Sequence, residues 1–338
     1  MAIFFNIFFK IFSVFISFAI TIFVIVILLS FFDKNNKFIL ISGNNSSQNT
    51  IAIIELSGVI MHQNYGFNNF INSFVISPTV VKDNLEALEE QSPSIIIVSI
   101  NSPGGTVSAS KDLYEIFKKY KNNNNTEIIV HTNEMLASGG YWVASSADAI
   151  YANYGAIIGS IGVKGPDWFF YDQPQSMSTG IFGNSIETKN GIKIFSNKAG
   201  KSKDIFNPFR EPSDIELIHL QEMVDGIYDD FIRVISKERS IETKTLIDNI
   251  GALIYNSKQA VNLHLIDNEM SLDELIINIT TTRSFEDYRV IKSSIQKNTF
   301  LKQFLNGSLV NQNQNMKLEC LNLRSSIAVV LNYESTGC

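Results

Sequence analysis

Two glycine-rich turns, each following a short apolar run, constrain the fold of this 338-residue chain more than any other feature. The first turn is Asn-Ser-Pro-Gly-Gly at residues 101–105, after the apolar run 94–100. The second begins with Ala-Ser-Gly-Gly at residues 137–140, shortly after the run 127–132. Such runs are typical of buried strands in a parallel sheet, and each turn leads into a helical pattern. Both turns are therefore expected at the same edge of one sheet.

Strand and helix patterns continue to alternate along the chain, which predicts an α/β fold of repeated β-α units on a mostly parallel sheet. Further strands and helices are predicted at residues 51–60, 79–90, 107–120, 149–154 and 215–236. The four asparagines at residues 122–125 are interpreted as a loop, and the aromatic-rich stretch 164–200 as a surface excursion or a substrate-facing loop.

The shared sheet edge is also where chemistry is expected, because open α/β sheets bind ligands beyond the carboxyl ends of their strands. Ser138 begins a helix there, with glycines after it and the other Gly-Gly turn opposite. This arrangement supplies a nucleophile and unblocked backbone N–H groups, which acyl transfer requires. Each motif alone has a simpler interpretation, Ser138 as a helix N-cap and residues 101–105 as a turn. Their joint placement favours catalysis.

A catalytic serine needs a base, and the sequence leaves several open. Among the four histidines, His131 ends the strand that feeds the Ser138 turn, although a histidine at a strand end is ordinarily bonded to backbone. The other possibility is a lysine held neutral, because burial lowers the pKa of an ammonium group. Lys198, Lys201 and Lys203 are the candidates, and a solvated basic loop is the alternative interpretation of that segment.

Residues 11–32 contain no charged residue and consist mainly of Ile, Phe, Val and Leu. Since about 20 apolar residues span a bilayer, this stretch is predicted to be a transmembrane helix. A cleaved signal peptide is the rival, but its apolar region is only about 7–15 residues long and ends in a small-x-small site. Lys10 precedes the span while Lys34 and Lys37 follow it, which weakly favours a cytoplasmic C-terminal domain.

The charge balance and the cysteines exclude other classes of function. The formal net charge is −6 and no basic cluster is present, which argues against a nucleic-acid partner. Cys320 and Cys338 are the only cysteines and lie far from every motif, so they indicate neither thiol chemistry nor a zinc site. They form one disulfide or none.

Five motifs together resemble the signal peptide peptidase SppA family of Ser/Lys proteases, peptidase family S49. In chain order they are residues 101–105, 137–141 (Ala-Ser-Gly-Gly-Tyr), 159–163 (Gly-Ser-Ile-Gly-Val), 200–204 (Gly-Lys-Ser-Lys-Asp) with Asn-Pro-Phe at 207–209, and 259–267. The resemblance covers roughly residues 51–267. It implies a ClpP/crotonase-like fold and the degradation of cleaved signal peptides in the membrane.

Carried over by motif, the resemblance implies Ser138 as the nucleophile, Lys203 as the general base and Ser160 as the residue that orients the lysine. We expect backbone N–H groups of Gly139 and of Gly104 or Gly105 to hold the oxyanion. No metal or cofactor is needed. The interval between Ser160 and Lys203 is longer than in short family members, and position 264, usually Gly, is His264 here.

The resemblance also implies a topology that overrides the weak charge count. It implies a cytoplasmic N-terminus at residues 1–10, an anchor at 11–32 in the bacterial inner membrane, a linker at 33–50 and a periplasmic protease domain at 51–275. Residues 276–338 form a C-terminal extension that no motif covers. A single protease domain implies a homo-oligomer, in which the serine and lysine of one site come either from one subunit or from neighbouring subunits. Two alternatives are an inactive anchored scaffold and a crotonase-like acyl-CoA enzyme.

Overall fold

The computed structural model describes residues 38–62, 75–170, 176–180, 183–187 and 197–293, and near the N-terminus residues 10, 12–13, 15–18 and 20–21. The predicted anchor at 11–32 therefore lies largely outside the described residues, and both cysteines lie wholly outside them. Within the described part of the chain, no helix combines the length and apolarity that crossing a membrane requires.

Strands and helices alternate along the chain, as the sequence pattern predicts. The strands are β1 Phe38–Gly43, β2 Thr50–Ser57, β3 Val59–Ile60, β4 Val75–Ile76, β5 Ile95–Asn101, β6 Glu127–Thr132, β7 Met135–Ala137, β8 Ala149–Ala152, β9 Ile157–Gly159, β10 Ser176–Gly180, β11 Gly183–Glu187, β12 Ile254–Asn256, β13 Asn268–Glu269 and β14 Arg289–Ser293. The helices are α1 Pro78–Glu89, α2 Val107–Asn124, α3 Gly139–Ala144, α4 Asp214–Arg239, α5 Thr243–Thr245, α6 Ser257–Asn262 and α7 Leu272–Thr282, with a π-helical turn at Leu246–Ile250.

The central sheet has seven strands in the order β1-β14-β2-β5-β6-β8-β13. Only β1 runs antiparallel to its neighbour, and all other adjacent strands in this sheet are parallel. Apolar cores cover both faces. In β2, Ile51 and Ile53 face one core with α7, while Ala52 and Ile54 face the larger core. A parallel sheet covered on both faces needs continuous apolar strands, which explains the unbroken runs in the sequence.

A second, three-stranded sheet of β12, β9 and β7 lies beside the carboxyl ends of the central strands and holds the two glycine-rich turns together. The Ser102 N–H donates to the Met135 carbonyl at 2.8 Å, and the Ala137 N–H donates to the Ser102 carbonyl at 3.1 Å. Both turns therefore meet at one sheet edge, which confirms the prediction.

Three stretches differ from the sequence-based expectation. Residues 122–124 are not a loop but the last turn of α2, which ends at Asn125 in the left-handed conformation (φ 49°, ψ 39°). The predicted linker at 33–50 contains β1, which pairs with β14. The predicted boundary at residue 275 lies too early, because β14 pairs along β2 inside the central sheet. Strands β1 and β14 were not predicted from the sequence, because neither strand lies in a recognisable motif.

Candidate active site

Ser138 occupies a sharp turn between β7 and α3, with φ 51° and ψ −124°. Its backbone is fixed from both sides, because its N–H donates to the Gly159 carbonyl at 2.9 Å and its carbonyl accepts from the Trp142 N–H at 3.0 Å. A non-glycine residue in such a conformation is strained by about 1–3 kcal/mol, and strain of this kind clusters at active sites. A strained strand-to-helix turn is also how nucleophilic serines are presented in other hydrolase folds.

The hydroxyl of Ser138 makes no capping hydrogen bond, although the residue stands at the N-cap position of α3. The N-cap interpretation is therefore wrong for the side chain. The residue is half-buried at the mouth of a cavity, so its oxygen is accessible without being fully solvated.

The turn at residues 101–105 presses its backbone against Ser138. A Cβ atom on Gly104 (φ 107°) would lie 2.8 Å from the Ser138 Cβ and 2.9 Å from the Gly139 nitrogen. A Cβ on Gly139 would lie 2.2 Å from the Ser110 Oγ and 3.3 Å from the Gly105 nitrogen. Side chains at these positions would separate the two turns, so the close approach requires glycine.

The three glycines do not offer equivalent N–H groups. The Gly104 N–H already donates to the Ser102 Oγ at 3.1 Å. Among the described residues, no acceptor pairs with the N–H of Gly105 or of Gly139. Two uncommitted donors therefore lie next to Ser138, and Gly104 contributes the close approach of the turn.

An apolar cavity opens beside Ser138, and its walls include Val107, Trp142, Val163 and Phe231. The Trp142 ring stacks on the Phe231 ring, with centroids 4.6 Å apart and planes inclined by 14°. Within the part of the chain that the structure describes, no charged side chain lines the cavity. Sequence reasoning missed Phe231, because a single aromatic residue on a long helix carries no positional signal.

Ser160 is connected to Ser138 through the pairing of β7 with β9, since Gly159 accepts the Ser138 N–H. Ser160 itself has φ 52°, and its N–H donates to the Leu253 carbonyl at 2.7 Å. The motif 159–163 thus lies at the same site as the two glycine-rich turns.

None of the three candidate lysines lines the cavity at Ser138. Lys198 forms an ion pair with Asp204 at 2.5 Å. Lys201 and Lys203 are exposed, and neither forms an ion pair with another described residue. The fold of one chain therefore joins Ser138, Ser160 and the glycine turns, while Lys203 does not line the cavity at Ser138.

His131 is fully buried in β6, and its Nε2 lies 3.1 Å from the Met270 carbonyl. Burial lowers the pKa of its imidazole. It does not line the cavity, so the interpretation of His131 as a backbone-bonded strand residue is confirmed.

His264 follows α6 in the left-handed region, with φ 58°. Glycine is the residue that adopts this conformation without strain. Arg239 donates to the His264 carbonyl from Nε and Nη2, at 3.1 Å each, and so holds the turn in place.

A strained serine beside two uncommitted N–H groups and an apolar cavity is the arrangement of a serine hydrolase that works by acyl transfer. The family model described as peptidase family S49 matches residues 121–284. This match and the names of the relatives support the signal peptide peptidase SppA family and the activity of a serine protease.

Two relatives illustrate the extent of the similarity. A putative signal peptide peptidase SppA of Enterococcus faecium is 25% identical over 305 residues, which cover 90% of this chain and 80% of the relative. Protease 4 of Haemophilus influenzae is 29% identical over 234 residues, which cover 68% of this chain but only 34% of that longer protein. A solved structure of a ClpP1 mutant from Listeria monocytogenes matches 66% of this chain and 94% of its own, with 14% identity and a TM-score of 0.40.

Proposed function

We propose that this protein is a membrane-anchored endopeptidase with a Ser/Lys dyad, which degrades cleaved signal peptides and other membrane-associated peptides. The observation that carries the proposal is the Ser138 turn, with its uncommitted hydroxyl beside the N–H groups of Gly105 and Gly139. The name of the Enterococcus relative supports the substrate class.

In the proposed mechanism, neutral Lys203 takes the proton of the Ser138 hydroxyl while that oxygen attacks a peptide carbonyl. The N–H groups of Gly105 and Gly139 hold the oxyanion that forms, and the loss of one such donor typically costs about 10²- to 10³-fold in rate. Lys203 then protonates the leaving amine, and water hydrolyses the acyl-enzyme. Ser160 orients the lysine amine.

The lysine comes from a neighbouring subunit of a homo-oligomer. The exposed position of Lys203, away from the cavity of its own chain, supports this arrangement. Residues 11–32 anchor the protein in the bacterial inner membrane, and the catalytic domain faces the periplasm, where cleaved signal peptides remain accessible.

The nucleophile and the base are tested by labelling the full-length protein in detergent with a fluorophosphonate probe. We expect labelling to disappear in Ser138→Ala and in Lys203→Ala, and to persist in the control Lys201→Ala. Labelling that survives in Lys203→Ala would assign the base elsewhere. If the folded wild-type oligomer takes no label at all, the protein is an inactive scaffold.

The shared site is tested by mixing the two inactive variants. Random mixed oligomers of Ser138→Ala and Lys203→Ala subunits contain sites with one intact serine and one intact neighbouring lysine. An equal mixture is expected to recover about a quarter of the wild-type peptidase activity. No recovery in mixed oligomers of normal size would show that each site uses residues of one chain.

A further inference from the structure

The segment that carries Lys203 is fastened to the start of α4 by Arg210. The guanidinium donates to both oxygens of Asp204, at 3.1 Å each, and to both oxygens of Glu216, at 2.9 and 2.7 Å. Bidentate pairs of this kind are the strong, geometrically specific form of ion pair. Asp204 and Glu216 lie six residues to either side of Arg210, so one side chain ties the loop to the helix.

The cluster of Asp204, Arg210 and Glu216 is shielded from water on most sides. Glu216 is buried, with 3% of its surface exposed, and it completes the capping box of α4 with Ser213. The Arg210 guanidinium lies over the Trp168 ring, 5.0 Å from its centroid. The Trp168 Nε1 donates to the Asn207 carbonyl at 3.2 Å, which holds the ring against the loop.

Both sequence neighbours of Lys203 belong to this cluster. Asp204 binds Arg210 directly. Ser202 lies among the groups that, after Arg210 and Ser213, hold the pKa of the Glu216 carboxyl well below its usual range. Ser202 also has φ 59°, in the left-handed region that residues other than glycine rarely adopt. The side chain of Lys203 is exposed between these two fixed points and has no ion-pair partner among the described residues.

The cluster also keeps the carboxylate of Asp204, the residue next to Lys203, in ion pairs. Asp204 is paired with Lys198 as well as with Arg210, and these partners hold the pKa of its carboxyl well below the usual range. A carboxylate within about 4–6 Å of an ammonium stabilises its charged form. A lysine paired with Asp204 would therefore keep its proton to higher pH and be neutral less often, and in the cluster Asp204 is already occupied by Arg210 and Lys198.

We propose that Arg210 is a positioning residue for Lys203: it fixes the backbone on both sides of the lysine and keeps the adjacent carboxylate of Asp204 occupied. The inference rests on the proposed role of Lys203 as the general base. It assigns no contact between Arg210 and the substrate.

The test measures the rate of fluorophosphonate labelling against pH in the full-length oligomer. Arg210→Gln removes the guanidinium and its charge, whereas Arg210→Lys keeps the positive charge without the bidentate geometry. Arg233→Gln is the matched control, since Arg233 lies exposed on α4 in an ion pair with Asp230. General-base catalysis contributes about 10²- to 10⁴-fold, so a displaced lysine is expected to slow labelling by about tenfold or more.

We expect both Arg210 variants to label slowly, with the pH midpoint of labelling moved to higher pH, while the KM for a peptide substrate stays near the wild-type value. In the double variant Arg210→Gln with Asp204→Asn, the pH midpoint of labelling is expected to return toward the wild-type value. The Asp204 carboxylate that Arg210→Gln frees from its partner is absent in this variant. A purely structural defect would lower the fraction of active protein without moving the midpoint.

The inference would be overturned if Arg210→Lys and folded Arg210→Gln both label at the wild-type rate and with the wild-type pH midpoint, while Lys203→Ala remains unlabelled. Labelling of Lys203→Ala at the wild-type rate would instead overturn the proposed base, and the two failures are therefore distinguishable. If Arg210→Gln does not fold, the midpoint of Arg210→Lys alone decides the question.

Discussion

Replacing Gly105 by alanine is the most direct perturbation of the proposed oxyanion site. A Cβ atom there would lie 1.8 Å from the Ile60 carbonyl oxygen and 2.6 Å from both the carbonyl carbon and the nitrogen of Ile60. That oxygen would have to retreat by about 1.2 Å to reach even 3.0 Å, the shortest distance that real Cβ atoms show. The conflict involves backbone only, so no side-chain rotation relieves it.

The surroundings of Ile60 prevent an easy retreat. Ile60 is fully buried, its N–H donates to the Gly104 carbonyl at 2.8 Å, and its carbonyl accepts from the Thr106 N–H at 2.8 Å. The turn must move together with β3 or lose these bonds, which are worth about 1 kcal/mol each. We expect a loss of about 1–3 kcal/mol in the free energy of unfolding, typical of overpacking.

The catalytic effect is expected to be larger than the stability effect. A displacement of about 1 Å removes the Gly105 N–H from the oxyanion, and the loss of one such donor costs about 10²- to 10³-fold in rate. The assay is the rate constant of fluorophosphonate labelling, paired with urea unfolding of the same samples. Labelling of Gly105→Ala at the wild-type rate would refute this assignment of the oxyanion donor.

Gly226→Ala is the matched control for this experiment. Gly226 lies within α4, and a Cβ added there would meet no atom within 4 Å. Alanine is expected to stabilise the helix by roughly 0.5–1 kcal/mol and to leave labelling unchanged. The pair of variants therefore separates the addition of a methyl group from its effect at the site.

Three further predictions concern stability. His264→Gly is expected to raise the free energy of unfolding by about 1 kcal/mol in urea titrations, because it removes left-handed strain at φ 58°, and an unchanged midpoint would contradict this. Burial lowers the pKa of the His131 imidazole in the folded protein. Below the ordinary histidine pKa of about 6.5, the unfolded chain therefore binds more protons than the folded one. The free energy of unfolding is expected to fall as the pH drops from about 6.5 toward the folded-state pKa, by at most about 1.4 kcal/mol per pH unit. Urea titrations between neutral and mildly acidic pH should show this slope in the wild type and lack it in His131→Leu. Phe231→Ala is expected to lower the free energy of unfolding by about 3–5 kcal/mol in the same titration. It is also expected to let larger substrate side chains enter the cavity, which cleavage of a panel of peptides differing at one position would detect. An unaltered peptide preference would show that Phe231 does not set specificity.

Local patterns in the sequence were sufficient to predict the alternating elements and the meeting of the two turns at Ser138. Parallel strands with both faces buried produce unbroken apolar runs, and glycine turns mark where those runs end. The same patterns misjudged residues 122–124, because asparagine favours loops on average while the left-handed Asn125 ends α2 one turn later. The side-chain role of Ser138 also required the structure, since only the missing capping hydrogen bond shows that the hydroxyl is not used as a cap.

Contacts between distant or unpatterned residues could not be predicted from the sequence. β14 has no motif, and its place beside β2 follows from the apolar residues Val290 and Ile291, which pack into the cores on opposite faces of the sheet. The Arg210 cluster depends on charges spaced six residues apart, a separation at which side chains do not contact one another within a helix or a strand. The proposed pairing of Lys203 with Ser138 of a neighbouring subunit depends on a second chain, which no pattern within one sequence specifies.

The place of β14 in the sheet affects the order in which the protein forms. β1 and β2 are made early but are separated in the sheet by a strand that begins at residue 289. Until that strand leaves the ribosome, β2 presents an open edge, and β1 lacks the strand it pairs with in the finished sheet. Contacts that span so much of the chain slow folding, and an open edge invites pairing with other chains. A nascent chain stopped at residue 275 would expose that edge, whereas one that reaches residue 293 closes it.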